Sequence, residues 1–152
     1  MSTFQDLLDQ RAFKTPKLTA YISERNNLTI SWEEHREKVF SVASELQNLG
    51  LRNQAKIALY LESDYQWELF EQAIIVAGFT AVTTTKDPQN KGLEKINKNS
   101  DFLISDENYK NFLNSKRNNF KKTSSDNKAL LIFTSGTTAE SKKIVFTQEQ
   151  IL

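Results

Sequence analysis

Residues 55–85 read AKIALYLESDYQWELFEQAIIVAGFTAVTTT, and this stretch decides the fold. Its first seven residues, AKIALYL, are apolar, short and rich in residues that suit a pleated surface, so they predict a strand. From Tyr65 to Ala77 the apolar positions recur at helical intervals, and Gly78 supplies the stop. FTAVTTT then predicts a second strand. Two strands joined through a helix of this length must run parallel, because a tight turn cannot return the chain to the same end of a sheet.

The alternation continues downstream with weaker pieces. A short helix around Leu93 to Lys98, the strand DFLIS and a helix over 107–114 lead into SKRNNFKKTSSDN, residues 115–127, and then the strand ALLIFT. The Lys- and Asn-rich 115–127 segment reads as a flexible connector with a solvated charge run. Upstream, Ser2 and Gln5 have capping-box spacing ahead of Phe4, Leu7, Leu8 and Ala12, which predicts a first helix ending by Pro16. LTAYIS and LTISW flank the turn-forming ERNN as a hairpin. Ser31 and Glu34 form a second capping box, and Trp32, His35, Val39, Val42, Ala43, Leu46 and Leu49 make one apolar helix face that ends at Gly50. The expected fold class is α/β, a mostly parallel sheet built from βαβ units and flanked by helices, with an N-terminal helix and β-hairpin.

Bulk composition narrows the function classes. A chain of 152 residues with 26% charged and 38% hydrophobic residues and a net charge of +1 suits one globular core. Near-neutral charge gives no reason to expect a nucleic-acid partner. The best apolar run, Ala73 to Ala77, is far too short to span a bilayer, and MSTFQDLLDQRAF lacks a signal-peptide core, so a cytoplasmic location is expected. With no cysteine there is no thiolate nucleophile, disulfide framework or zinc ribbon. The single histidine, His35, lies on an apolar helix face and is expected to pack, as are Trp67 and Phe70. No Ser/His/Asp set or metal-ligand cluster stands out, and no catalytic residue is assigned.

Chemistry concentrates near the end of the chain, in LLIFTSGTTAESKKIVFTQEQIL, residues 130–152. Gly136 allows a tight turn whose successive N–H groups can face an anion. Thr134, Ser135, Thr137 and Thr138 surround it with hydroxyl donors, and Lys142 adds a charge able to reach phosphate oxygens. The residues alone are equally compatible with a plain polar turn, since Ser, Thr and Gly favour turns anyway. GTTAESKK is not a Walker A loop, for Ser141 replaces the second glycine and no Ser or Thr follows the lysine. It is not a Rossmann fingerprint either.

FTSGTTAESKKIVFT resembles the phosphate-binding signature of the adenylate-forming (AMP-binding) superfamily, roughly TSGTTGxPKGV, found in acyl- and aryl-CoA synthetases, peptide-synthetase adenylation domains and luciferases. TPKLTAYIS, LTISWEEHREKVFSVASELQNLGL, AKIALYLESDYQWELFEQAIIVAGFTAV and DP follow the order and spacing of that superfamily's N-terminal region. The resemblance implies an ATP- and Mg²⁺-dependent ligase that joins a carboxylic acid to AMP and passes the acyl group to CoA or a carrier thiol. It assigns Thr134, Ser135, Gly136, Thr137, Thr138 and Lys142 to the ATP phosphates. Ala139, Ser141 and Lys143 depart from the signature's Gly, Pro and Gly. A left-handed Ala139 would cost about 1–2 kcal/mol, and loss of the proline constraint at 141 about 0.4–1 kcal/mol. Lys143 is expected to face solvent.

The rest of the active site, including the Mg²⁺ ligand, falls outside the resemblance, so residues 1–152 are expected to form a partial N-terminal AMP-binding domain that is inactive alone in the full reaction. Thr147 and Gln150 form another capping box two residues before the end, where a helix would be too short to recover its nucleation cost. Leaving ~400 Å² of apolar surface uncovered would forgo about 10 kcal/mol. Two alternatives stand beside the ligase fragment. One is a non-catalytic split-enzyme subunit or regulatory module that needs a complementary chain; the other is a self-contained α/β module for a phosphorylated ligand.

Overall fold

The computed structural model describes residues 2–62, 64–84, 88–116, 119–133 and 142–152. The chain opens with helix α1 (Phe4–Lys14), followed by a hairpin of β1 (Thr19–Ser23) and β2 (Leu28–Ser31). Helix α2 (Trp32–Gln47) leads to β3 (Lys56–Tyr60), α3 (Asp64–Val76) and β4 (Thr80–Thr83). Then come α4 (Lys91–Lys98), β5 (Phe102–Ser105), a 3-10 turn (Tyr109–Phe112), β6 (Lys128–Phe133), β7 (Lys143–Thr147) and α5 (Gln148–Ile151).

β1 and β2 pair antiparallel as a separate ribbon, while the other strands form one sheet in the order β5-β3-β4-β6-β7. Its first four strands are parallel, and β7 folds back antiparallel on β6. The α/β expectation, the hairpin and the βαβ reading of residues 55–84 therefore hold.

Period-two alternation divides the sheet between two cores. Ile57, Leu59, Ala81 and Ile104 pack with Val39, Leu46, Phe70 and Ile74 from α2 and α3. Their neighbours Ala58, Tyr60, Val82 and Leu131 face the opposite side, where Ile96 of α4 meets them. Burial on both faces explains why β3 reads as an unbroken apolar run instead of an alternating one. Consecutive crossovers thus leave on opposite faces: α3 follows β3 on one, α4 follows β4 on the other.

Gly78 ends α3 with φ +88°. The Gly78 N–H donates to Ile75 O at 3.1 Å and the Phe79 N–H to Ile74 O at 3.0 Å, the paired bonds of a Schellman ending. The Ser31–Glu34 capping box is present at the start of α2.

Four expectations shift. The cap of α1 is Thr3 with Asp6, not Ser2 with Gln5: the Asp6 N–H donates to Thr3 Oγ1 and the Thr3 N–H to Asp6 Oδ2. Lys122 reaches the same carboxylate at 2.8 Å, a tertiary contact that favours the later register. Leu49 lies beyond α2 and is exposed, and Phe40 joins the buried face instead. The helix expected over 107–114 contracts to the 3-10 turn, whose Tyr109 and Phe112 stack edge-on against Phe70. Finally, α5 forms despite its length because its first residue is anchored elsewhere. Gln148 is 1% exposed, accepts from the Phe4 N–H at 2.9 Å, and donates to Thr123 Oγ1 at 2.9 Å and Ile75 O at 3.4 Å. Tertiary bonds replace the turns that an isolated helix would need for nucleation.

Candidate functional site

Phe133 ends β6 directly opposite Lys143, the first residue of β7. The intervening 134–142 stretch thus leaves and re-enters the sheet at the carboxyl end of β6. Because β6 runs parallel to β4, with Val82 beside Leu131 and Thr83 beside Ile132, this is the carboxyl edge of the whole parallel sheet. Ligands of open α/β sheets gather there, beside strands whose following helices part to opposite faces. β3 and β4 are such a pair.

Thr134, Ser135, Gly136, Thr137, Thr138, Ala139 and Ser141 lie outside the described residues. Lys142 is described and exposed, immediately before β7, and Lys143 is exposed on the strand's first position. The strands expected on either side of them are present as β6 and β7.

Two neighbours escaped the sequence reading. Lys95 of α4 brings its ammonium to 5.4 Å from the centre of the Phe133 ring, adding a cation beside the last residue before the loop. Tyr60, at the end of β3, donates its hydroxyl to Asn90 Oδ1 at 3.0 Å, and Asn90 starts α4 from a left-handed conformation, φ +53°. No local pattern signals either contact, because each joins elements from separate crossovers.

His35 behaves as a packed core residue. It is 3% exposed, with Nδ1 accepting from the Tyr65 hydroxyl at 3.3 Å and Nε2 donating to Gln72 Oε1 at 2.8 Å. Gln72 Nε2 continues the chain to Glu68 Oε1 at 2.6 Å. Burial pushes the imidazole below its ordinary pKa, keeping it neutral between α2 and α3. Phe70 is fully buried and Trp67 packs partly buried against the same core. Glu71 shows the opposite response for an acid: burial, reinforced by Glu68, raises it to about 7.

No group of three or more His, Cys, Asp or Glu residues among the described residues is arranged to hold a metal. No helix among them is long and apolar enough to cross a membrane. What the described residues place at this sheet edge is the paired ends of β6 and β7, with Lys142 and Lys143 exposed and Lys95 beside Phe133.

The sequence pattern of the family described as AMP-binding enzyme matches residues 8–104, well over half of the chain. The chain belongs to the AMP-binding enzyme family. Among curated AMP-binding relatives, the mitochondrial medium-chain acyl-CoA ligase ACSF2 of Mus musculus is 26% identical over 95 residues, covering 62% of this chain and 15% of the mouse protein. Among solved structures, the Klebsiella oxytoca NpsA N-terminal subdomain in complex with anthranilyl-AMSN superposes with a TM-score of 0.85 at 21% identity, covering 97% of this chain and 42% of that one. The inhibitor-bound N-terminal domain of FACL13 from Mycobacterium tuberculosis gives a TM-score of 0.81 at 18% identity, over 98% and 45%. The chain thus spans about a seventh of the curated ligase and under half of the two solved chains whose fold it shares.

Proposed function

We propose that this chain forms the N-terminal portion of an ATP-dependent adenylate-forming ligase, and that its 134–142 loop grips the β- and γ-phosphates of ATP. Thr134, Ser135, Thr137 and Thr138 donate hydroxyl hydrogens, Gly136 opens the backbone N–H groups, and Lys142 supplies charge. In the reaction a substrate carboxylate oxygen attacks the α-phosphorus, and the bond to the bridging oxygen breaks so that pyrophosphate carries away the electron pair. A CoA or carrier thiolate then attacks the acyl carbon and AMP leaves. Holding the outer phosphates steadies the leaving group and fixes the α-phosphorus for in-line attack. The acid and thiol sites, and the ligands for Mg²⁺, belong to the portion of the relatives' length that this chain does not span.

The observation that carries this reading is where the flanking strands end: in a chain of this family, Phe133 and Lys143 stand paired at the carboxyl edge of the parallel sheet, and the hydroxyl-rich 134–142 sequence joins them. One charge-assisted phosphate bond is worth about 1.5–3 kcal/mol, so Lys142→Ala weakens ATP roughly ten- to hundredfold and leaves adenosine unaffected. Calorimetric titration of both ligands checks this. ATP–pyrophosphate exchange over a panel of carboxylic acids tests the ligase assignment, with exchange expected only when the complementary region is supplied.

A second reading, a non-catalytic subunit docking on another chain, is favoured by one feature. β7 is an edge strand, and its Ile144 and Val145 are 38% and 41% exposed. Restoration of exchange by a separately made complementary chain distinguishes a split enzyme from a regulatory module.

A further inference from the structure

Lys95 and Lys143 come from separate elements yet stand on one face of the sheet. Phe133 and Lys143 are directly opposed across the β6–β7 pair, so their side chains share a face. That face is the one α4 covers, because Phe133 packs with Leu131, Ile96 and Tyr60 in the second core. Lys95 of α4 holds its ammonium 5.4 Å from the centre of the Phe133 ring. The ring thus has one lysine over it from the helix and a second beside it from the neighbouring strand.

The direction of α4 brings both charges to the same end. The helix starts beside the carboxyl end of β3, where the Tyr60 hydroxyl donates to Asn90 Oδ1 at 3.0 Å. Helical side chains lean toward the helix start, so the Lys95 stem reaches back toward the carboxyl edge. Both lysines are exposed, and Lys143 closes no ion pair with a described residue. The described acids of the neighbouring elements are engaged elsewhere. Glu94 of α4 faces Lys98 at 3.9 Å, and Asp106 accepts from the Glu62 N–H at 3.4 Å beyond β5, three strands away from β6. Lys91 adds another exposed cation at the start of the helix.

We propose that Lys95 and Lys143 form a phosphoryl subsite on the α4 side of the β6–β7 mouth, and that it takes the pyrophosphate end of ATP. The inference rests on the ATP reading above and adds to it two cations that lie outside 134–142. Two lysines that flank one ring repel each other, and a multiply charged anion shared between them relieves that repulsion more fully than a monoanion does. The resembled signature has Gly where this chain has Lys143, so the contact belongs to this chain's own sequence.

The test titrates the 152-residue chain with ATP, pyrophosphate and acetate by calorimetry, and maps backbone amide shifts with pyrophosphate. Lys95→Gln and Lys143→Gln are each expected to weaken ATP and pyrophosphate about fivefold, and together about twentyfold. Shifts are expected at 91–96, 131–133 and 143–145, and acetate does not saturate. Lys98→Gln, on the same helix but facing Glu94, leaves every affinity unchanged. All three side chains are exposed, so the variants keep the wild-type circular dichroism. ATP affinity unchanged in Lys95→Gln and Lys143→Gln, equal weakening by Lys98→Gln, saturation by acetate, or shifts centred elsewhere would each overturn the inference. If Lys142→Ala still weakens ATP in that case, the loop reading stands. Absence of ATP saturation up to about 10 mM in the folded wild-type chain would instead overturn the loop reading, and this inference with it.

Discussion

Glu71 and His35 show how one buried site can reverse a residue's ordinary ionisation. Glu71 is raised from 4.5 to about 7, so the folded state holds its proton where the unfolded chain releases it. The resulting stability is full below the ordinary carboxylate value and is lost as pH rises through about 7, a swing of about 3 kcal/mol at most. Glu71→Gln is therefore expected to be more stable than wild type at pH 8 and nearly equal to it at pH 5, as urea titrations at the two pH values will read. His35 works the other way: its folded pKa is depressed, so its contribution is present above 6.5 and is lost as pH falls below it. At Gly78 the surroundings decide which residue the position can hold. A Cβ there would lie 2.7 Å from Thr123 Cγ2, in a backbone conformation with φ +88°. Gly78→Ala is expected to cost about 1–3 kcal/mol, and part of that returns when Thr123→Ser removes the opposing methyl, a double-mutant cycle in denaturant.

Among the elements, α5 and α2 owe their existence to different causes. α2 carries its own start signal and a long apolar face, so Ser31→Ala removes one cap and costs about 1 kcal/mol without changing the helix elsewhere. α5 has a capping box but only four residues, and it depends on Gln148 being bonded to α1, α3 and the 119–127 segment. Gln148→Ala leaves the Phe4 N–H and Thr123 hydroxyl unmatched and opens a cavity, for a loss of about 2–4 kcal/mol. Hydrogen exchange checks the distinction: the variant should lose protection at α5 and at the start of α1 together, whereas Ser31→Ala affects only the first turn of α2. The same segment holds further contacts. Phe120 lies edge-on to Phe40 at 4.8 Å, and Gln47 exchanges hydrogen bonds with both backbone groups of Lys121.

At the scale of the molecule, among the described residues, the sheet is covered by α2 and α3 on one face and by the short α4 on the other, and it ends at edge strand β7. Exposed Ile144 and Val145 on that edge form a template for strand pairing. Val145→Lys is expected to lower self-association at high concentration, measured by sedimentation, with little change in the far-ultraviolet spectrum. Were the edge already satisfied by another element, the substitution would destabilise the fold instead.

Sequence alone determined the parts governed by local rules. The Ser31–Glu34 box, the short unbroken apolar run of β3, the apolar helix from Tyr65 and the Gly78 stop each encode an element within a few residues, and alternation of those elements forced a parallel sheet. The resemblance of TSGTT to a phosphate signature is likewise continuous in the chain, while its residues lie outside those the structure describes. Tertiary structure decided what depends on partners distant in sequence. It moved the first cap from Ser2 to Thr3 beside Lys122, reduced the 107–114 helix to a turn against Phe70, and made a four-residue helix stable through Gln148. It also brought Lys95 to Phe133 and set Lys143 on the same face of the sheet. The physical reason is common to all of these: a backbone pattern fixes dihedral angles and faces, but desolvation and hydrogen-bond satisfaction are settled only when separate elements pack together.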